Sequence, residues 1–123
     1  LDLDAIRAMP QESITAVLDC TGGWFAEQDW RGVRLDRLIR PDPTRWRSVE
    51  VESATGYARR FPLRDLHRLW LATSVAGESL SAGHGFPARI VAPDRRGFWW
   101  VKWVVSIRPS AVPWWLQSPF PLT

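Results

Sequence analysis

An α+β fold in which strands predominate is the fold class that this sequence of 123 residues predicts. Short segments that alternate apolar and polar residues recur along the chain, and glycine and proline residues separate them. A few other short segments repeat apolar residues at helical spacing instead. Because no internal repeat, linker or low-complexity tract divides the chain, we expect one domain over residues 1–123, with a mixed sheet and short helices.

Three segments have the pattern of helices. The first is LDLDAIRAMP at residues 1–10, where Asp2 or Asp4 can act as the N-cap and a proline ends the helix. The second is RLDRLI at residues 34–39, and the third is FPLRDLHRLW at residues 61–70. One side of the third segment carries Leu63, Leu66 and Leu69.

The remaining patterned segments are predicted to be strands. ESITAVLDC (residues 12–20), WRSVEVES (46–53) and LWLATSV (69–75) alternate apolar and polar or smaller residues. The strongest signal is FPARIVAPDRRGFWWVKWVVSI at residues 86–107, where two apolar runs flank the glycine-bearing turn PDRRG. This pattern predicts a β-hairpin, followed by a proline-interrupted tail without regular structure.

Composition narrows the classes of ligand. The formal net charge is +3, and all but one of the 16 basic residues are arginines, whose planar fork suits phosphate or carboxylate. This modest charge without a recognition motif argues against a nucleic-acid partner. A single cysteine excludes an internal disulfide and a multi-cysteine zinc site.

Cys20 stands at the end of a predicted strand, and Gly22 and Gly23 follow it. A free cysteine is most often a buried structural thiol. A nucleophilic cysteine would need a base, and the histidines of this chain are His67 and His84. The third interpretation is a soft thiolate ligand for a metal, beside glycines that let a bulky group approach the backbone.

A second group of candidate residues lies in the predicted hairpin. His84 stands between two glycines, Arg89 is in the first strand, and Lys102 is in the second. With a simple register, the two cations would converge on one anion. The alternative is that Lys102 is an edge-strand residue that prevents aggregation, and the pattern alone leaves both open.

Four motifs together resemble the molybdopterin-binding domain of the sulfite oxidase family, over about Leu3 to Ile107. They occur in the family's order: LDCTGGW, WRGVRLDRLI, GYARRFPL and GHGFPARIVAPDRRGFWWVKW. The first departs from the C-x-G-N-R of animal and plant members, since Trp24 replaces a basic residue there. The resemblance implies a sulfite-oxidase-like fold that lacks the N-terminal strands of the family domain. We therefore expect a fragment of a longer domain or protein, and we expect the isolated chain to carry no molybdenum and to be inactive.

The resemblance also implies a cofactor and a set of site residues. Cys20 would be the thiolate ligand of molybdenum in a molybdenum–molybdopterin cofactor, and Gly22 would leave room for it. His84 and Arg89 match family positions beside the pterin and its phosphate, and Lys102 matches a lysine on the phosphate side.

The activity implied by the same resemblance is two-electron oxygen-atom transfer on a small-molecule substrate. Electrons would pass to or from a redox partner protein, or a haem or membrane domain. Bacterial relatives suggest an extracytoplasmic or membrane-attached location. We also expect either a homo-oligomer or a tail that folds back over the exposed apolar surface.

The tryptophans allow a different class of function. There are 9 in this chain, and the alternative is a non-catalytic module that binds a carbohydrate or a protein. That function requires four of them to face solvent together: Trp99, Trp100, Trp114 and Trp115.

Overall fold

Two antiparallel sheets form the fold of the computed structural model, which describes residues 1–19, 25–95 and 97–118 and, within these, the side chains outside 17–19 and 25–27. The strands of the described residues are β1 (Glu12–Asp19), β2 (Phe25–Arg34), β3 (Ser48–Ser53), β4 (Ala58–Pro62), β5 (Trp70–Val75), β6 (Glu78–Ser79), β7 (Arg89–Val91) and β8 (Val104–Ser110). The helices are α1 (Leu3–Ala8), α2 (Leu35–Leu38) and the 3₁₀ segments Leu63–Arg68, Ala82–His84 and Gly97–Trp99.

The two sheets have different strand orders. The five-stranded sheet runs β1-β2-β5-β6, and β7 also pairs with β5, whereas the three-stranded sheet runs β4-β3-β8. The β1–β2 register pairs Asp19 with Phe25, so residues 20–24 connect the two strands. The candidate residues Cys20 and Gly22 belong to that connection and lie outside the described residues. The predicted fold class is confirmed.

The predicted helices are present, but the third has a different geometry. At α1, the Oδ1 atom of Asp2 accepts a hydrogen bond of 3.1 Å from the backbone N–H of Ala5, which confirms the predicted cap. The third is the 3₁₀ segment Leu63–Arg68. Leu66 and Leu69 are buried there, because a spacing of three residues keeps side chains on one face of a 3₁₀ helix.

Three strands were not predicted: β2, β4 and the two-residue β6, which lies in a segment expected to be a turn. Gly32 interrupts the pattern of β2 at a register shift, where a Cβ atom would lie 2.4 Å from the carbonyl oxygen of Leu71. In β4, the inward-facing positions are Arg59 and Phe61, and both are buried. A charged residue at a core position breaks the apolar alternation by which strands are recognised.

The predicted hairpin over residues 86–107 is wrong. β7 pairs with β5 in one sheet and β8 pairs with β3 in the other. The 3₁₀ segment Gly97–Trp99 and the left-handed Trp103, with φ of 53°, redirect the chain between the sheets. Backbone contact between the two arms persists in isolated bonds, such as that of 2.8 Å from the N–H of Ile90 to the carbonyl of Val101.

The tail folds back over the outer edge of β4. The side-chain oxygen of Gln117 accepts a bond of 2.9 Å from the backbone N–H of Arg60, and its amide nitrogen donates a bond of 2.8 Å to the Arg60 carbonyl. Gln117 thereby takes the place of a neighbouring strand. Trp114 packs against the core from the same segment. The expected homo-oligomer stays a prediction.

The buried core is apolar and draws on both sheets, with Trp30, Phe61, Leu71 and Trp100 among its largest fully buried side chains. Within the described residues, no helix has the length and apolar character needed to cross a membrane.

Candidate functional site

Three of the candidate residues, His84, Arg89 and Lys102, lie around a sharp turn of the chain at Gly85. We call it the Gly85 corner and define it by Ser81, His84, Gly85, Arg89 and Lys102. The 3₁₀ segment Ala82–His84 ends at Gly85, whose φ of 105° lies in the left-handed region that favours glycine.

Gly85 lies between the two cationic side chains of the corner. A methyl group at Gly85 would lie 3.0 Å from the Cβ atom of Arg89 and 3.1 Å from the Cγ atom of Lys102. Glycine is required here by the backbone angle and by the lack of space. The corner therefore brings Arg89 and Lys102 to adjacent positions, although they do not share a hairpin.

His84 is exposed, and its ring orientation is held by a neighbour. The Nδ1 atom lies 2.8 Å from the hydroxyl oxygen of Ser81, which also caps the 3₁₀ segment through the backbone N–H of His84. This leaves the Nε2 atom directed away from Ser81. Ser81 was not predicted as a site residue, although a serine three residues before the end of a short turn is typical of such caps.

Arg89 is 3% exposed and packs between tryptophans. Its Cζ atom lies 5.0 Å from the ring centroid of Trp30 and 5.6 Å from that of Trp100. Nη1 donates a bond of 3.0 Å to the carbonyl of His84, and Nη2 donates one of 3.3 Å to the carbonyl of Trp100. The guanidinium therefore fixes the backbone beside His84. Trp30 lies on β2, the strand that follows residues 20–24.

Lys102 is half-buried, and its ammonium lies 4.7 Å from the ring centroid of Trp103. The ion pairs found among the described residues do not include Lys102. The indole N–H of Trp103 donates a bond of 2.8 Å to the carbonyl of Ala82 and fixes the ring under the ammonium. Lys102 is therefore a positioned cation without a carboxylate partner in the described part of the chain.

A second buried guanidinium was not predicted. Arg59 of β4 is 3% exposed, and its Cζ atom lies 4.2 Å from the ring centroid of Trp99 and 5.4 Å from that of Phe98. Burial lowers the pKa of Arg59, the charges of Arg60 and Arg95 lower it further, and Tyr57 opposes the change. The sequence contained little indication that Arg59 is buried, because GYARRFPL contains two adjacent arginines and only one of them faces inward.

Tyr57 lies beside this guanidinium. Its hydroxyl donates a bond of 2.7 Å to the carbonyl of Phe98. Burial raises the pKa of Tyr57 above its usual value of 10.0, while the charge of Arg59 lowers it. The phenol is therefore held in its neutral, donating form.

The four tryptophans named for the binding-module alternative have different environments. Trp99 and Trp100 are buried, Trp114 is half-buried, and Trp115 is 60% exposed. These four side chains do not form one solvent-facing platform.

The fold and the motifs define a molybdopterin-binding oxidoreductase domain. The family model described as "Oxidoreductase molybdopterin binding domain" matches residues 1–114, and the chain belongs to this family. Members of this family bind the molybdenum cofactor. The chain is thus a molybdopterin-binding oxidoreductase domain of the sulfite oxidase type.

The chain is similar to known proteins both in sequence and in structure. The mitochondrial sulfite oxidase of Drosophila melanogaster is 28% identical over 139 aligned residues, which cover 87% of this chain and 24% of that protein. In structure, the chain resembles the sulfane dehydrogenase SoxCD of Paracoccus pantotrophus, with a TM-score of 0.80 and 24% identity. That match covers 91% of this chain and 35% of the other, so the chain spans about a quarter to a third of these relatives.

The residues of the Gly85 corner fit an anionic cofactor. Lys102 has no carboxylate partner in the described part of the chain, and its stem is packed against a glycine whose Cβ position is already filled. The exposed imidazole of His84, the residue before Gly85, adds a second polar group to the corner. A phosphate-bearing group would supply the negative charge that this set of donors lacks.

Proposed function

We propose that this chain binds a molybdenum–molybdopterin cofactor for two-electron oxygen-atom transfer on a small-molecule substrate. The cofactor supplies the metal centre that exchanges the oxygen atom and two electrons. Cys20 would be its thiolate ligand, and His84, Arg89 and Lys102 would hold its pterin and phosphate. The proposal is supported most directly by the Gly85 corner, where two cations and a histidine surround one obligatory glycine.

The residues of the corner have separate roles in this proposal. Lys102 would contact the phosphate directly, because its ammonium is positioned and has no carboxylate partner among the described residues. Arg89 would act mainly as a positioning residue, since two of its nitrogens hold the carbonyls of His84 and Trp100. Ser81 would fix the imidazole of His84 so that its Nε2 atom faces the cofactor. Gly22 would leave space beside Cys20.

The same proposal includes an electron-transfer partner, a cellular location and an oligomeric state. Electrons would leave or enter one at a time through a redox partner protein, or through a haem or membrane domain. The location would be extracytoplasmic or membrane-attached, in a bacterial cell. The protein would act alone or as a homo-oligomer.

Cofactor content and turnover test this proposal together. The full-length protein that contains this chain would be produced in a host that makes the molybdenum cofactor, and molybdenum and pterin would be measured per protein. Cys20→Ser should abolish turnover while circular dichroism stays unchanged, because a hydroxyl is a poor substitute for a soft thiolate ligand. Lys102→Met should reduce the bound pterin. Arg7→Met, an exposed cation on α1, is the matched control. Full turnover by Cys20→Ser, or no molybdenum in the unmutated protein, would refute the proposal.

A further inference from the structure

We infer that the buried guanidinium of Arg59 is an oxoanion-binding site, which takes a sulfate- or phosphate-like group on its Nε/Nη2 edge. The site lies outside the Gly85 corner and does not depend on oxygen-atom transfer.

One edge of this guanidinium has no acceptor. Nη1 donates a bond of 2.7 Å to the carbonyl of Ser118, but the buried Nε and Nη2 atoms have no hydrogen bond of good geometry in the described part of the chain. Burial lowers the pKa of Arg59 and the nearby hydroxyl of Tyr57 opposes this effect, but the hydroxyl is neutral and does not compensate the charge. The N–H groups of these two atoms point the same way, which is the fork that binds two oxygens of one anion. Two unsatisfied donors on one buried charged group require an explanation, and the binding of an oxoanion would provide it.

The charges near Arg59 are mostly positive. Arg95 also lies over Trp99, with its Cζ atom 4.4 Å from the ring centroid, and pairs with Asp65 at 2.6 Å. Arg60 pairs with Glu50 at 3.3 Å. Both carboxylates are therefore already used by other arginines.

Arg59 itself has no ion pair in the described part of the chain. Burying a cation without a counter-ion is costly, and an oxoanion on the free fork would remove most of that cost.

The tail holds the opposite side of this guanidinium, at Nη1, and leaves the Nε/Nη2 edge without a bond from the described part of the tail. Arg59 donates to the carbonyl of Ser118, and Arg60 holds the carbonyl of Leu116 and the side chain of Gln117. Trp114 packs against the core from the same segment, so the tail is fixed beside the guanidinium on its Nη1 side.

The aromatic wall explains why an arginine suits this position. Trp99 and Phe98 stack on the guanidinium plane, as they would on a weakly hydrated planar cation, and leave its edge for the ligand. A lysine has neither the plane nor the fork. The site therefore favours anions with two or more equivalent oxygens.

Sulfate binding to the cofactor-free protein tests the inference. Calorimetric titration at constant ionic strength should give saturable binding, and Arg59→Met should weaken it at least about tenfold, as the loss of a bidentate charge-assisted pair does. Arg7→Met removes the same charge from an exposed helix and should leave the affinity unchanged. Equal affinities, within about twofold, for the unmutated protein and Arg59→Met would overturn the inference.

A second measurement covers the case in which Arg59→Met does not fold. In the unmutated protein, the ¹⁵N-NMR signal of the Arg59 Nε–H group, assigned with Arg59→Lys, should shift on titration with sulfate. No shift at saturating sulfate would also overturn the inference.

The source of the oxoanion is decided with cofactor-loaded protein. Sulfate binding that persists after loading identifies a free small oxoanion as the ligand. Sulfate binding that is lost on loading, with Arg59→Met also releasing pterin, identifies the cofactor's phosphate. Absence of sulfate binding in the cofactor-free protein contradicts the site even if turnover is normal, so the inference and the proposed function can fail separately.

Discussion

Arg89 and Arg59 are both 3% exposed, and each guanidinium packs on two aromatic rings, but their hydrogen bonds differ. Nη1 and Nη2 of Arg89 each donate to a backbone carbonyl, so this residue ties two chain segments together. Arg59 donates to one carbonyl, and its Nε and Nη2 atoms have no hydrogen bond of good geometry among the described residues.

Burial alone therefore does not reveal the role of a charged side chain. Arg89 satisfies buried carbonyls that would otherwise be unpaired, which is a structural and positioning role. Arg59 donates to one carbonyl, and the N–H groups on its Nε/Nη2 edge remain available, which is typical of a ligand-binding group. Three predictions test this contrast, in order of decreasing effect.

The largest effect is expected for the stability of the two arginine variants. Arg89→Met leaves the carbonyls of His84 and Trp100 buried without these donors, so it should lower the free energy of unfolding by about 3 kcal/mol. Arg59→Met in anion-free buffer should change it by less than about 1 kcal/mol, because an unpaired buried charge is removed together with one hydrogen bond. Urea unfolding measures both variants. Similar losses of unfolding free energy in the two variants would contradict the different roles of Arg89 and Arg59.

A smaller effect is expected for Gly85, where the backbone angle and the lack of space act together. Gly85→Ala should cost about 2 kcal/mol and weaken cofactor retention, since the methyl group meets the side chains of Arg89 and Lys102.

Two other glycines separate these causes. Gly77 has φ of 82° with nothing within 4 Å of its Cβ position, so Gly77→Ala should cost about 1 kcal/mol through strain alone. Gly83 also has open space, and its φ is not positive, so Gly83→Ala should be close to neutral. Thermal unfolding of the three variants gives the comparison. A Gly85→Ala loss no larger than that of Gly77→Ala would show that packing at the corner is unimportant.

The smallest effect concerns Tyr57, the single tyrosine of the chain, whose ionisation absorbance therefore reports on one residue. Its pKa is raised by burial and lowered by the charge of Arg59, so Arg59→Met should move the absorbance midpoint to higher pH. Because the folded pKa is above the usual 10.0, the related stability is complete below that pH and declines as the pH rises beyond it. Saturating sulfate should also move the absorbance midpoint of the unmutated protein to higher pH. A midpoint that Arg59→Met leaves unchanged would mean that the two groups do not interact.

Much of the candidate site could be predicted from local sequence signals. Ser81 to Arg89 form a short turn, an obligatory glycine and a strand, and their functional residues lie within one segment. Arg89 and Lys102 lie on either side of Gly85, although they are not in one hairpin, and the convergence of their head groups on one anion stays a prediction. The chain passes from one sheet to the other between β7 and β8. The side chains of Arg89 and Lys102 are adjacent because both pack against Gly85. The cofactor-binding roles of these residues stay predictions.

By itself, the sequence determined the class of fold, the position of α1, β1, β3 and β5, and the membership of a molybdopterin-binding family. These features depend on capping, periodicity and ordered motifs, which are properties of neighbouring residues. Only the tertiary structure decided that the predicted hairpin divides between two sheets and that Arg59 rather than Arg60 is buried. Strand partners and burial are set by residues distant in the chain, so the unused edge of a guanidinium can be seen only after the chain has folded.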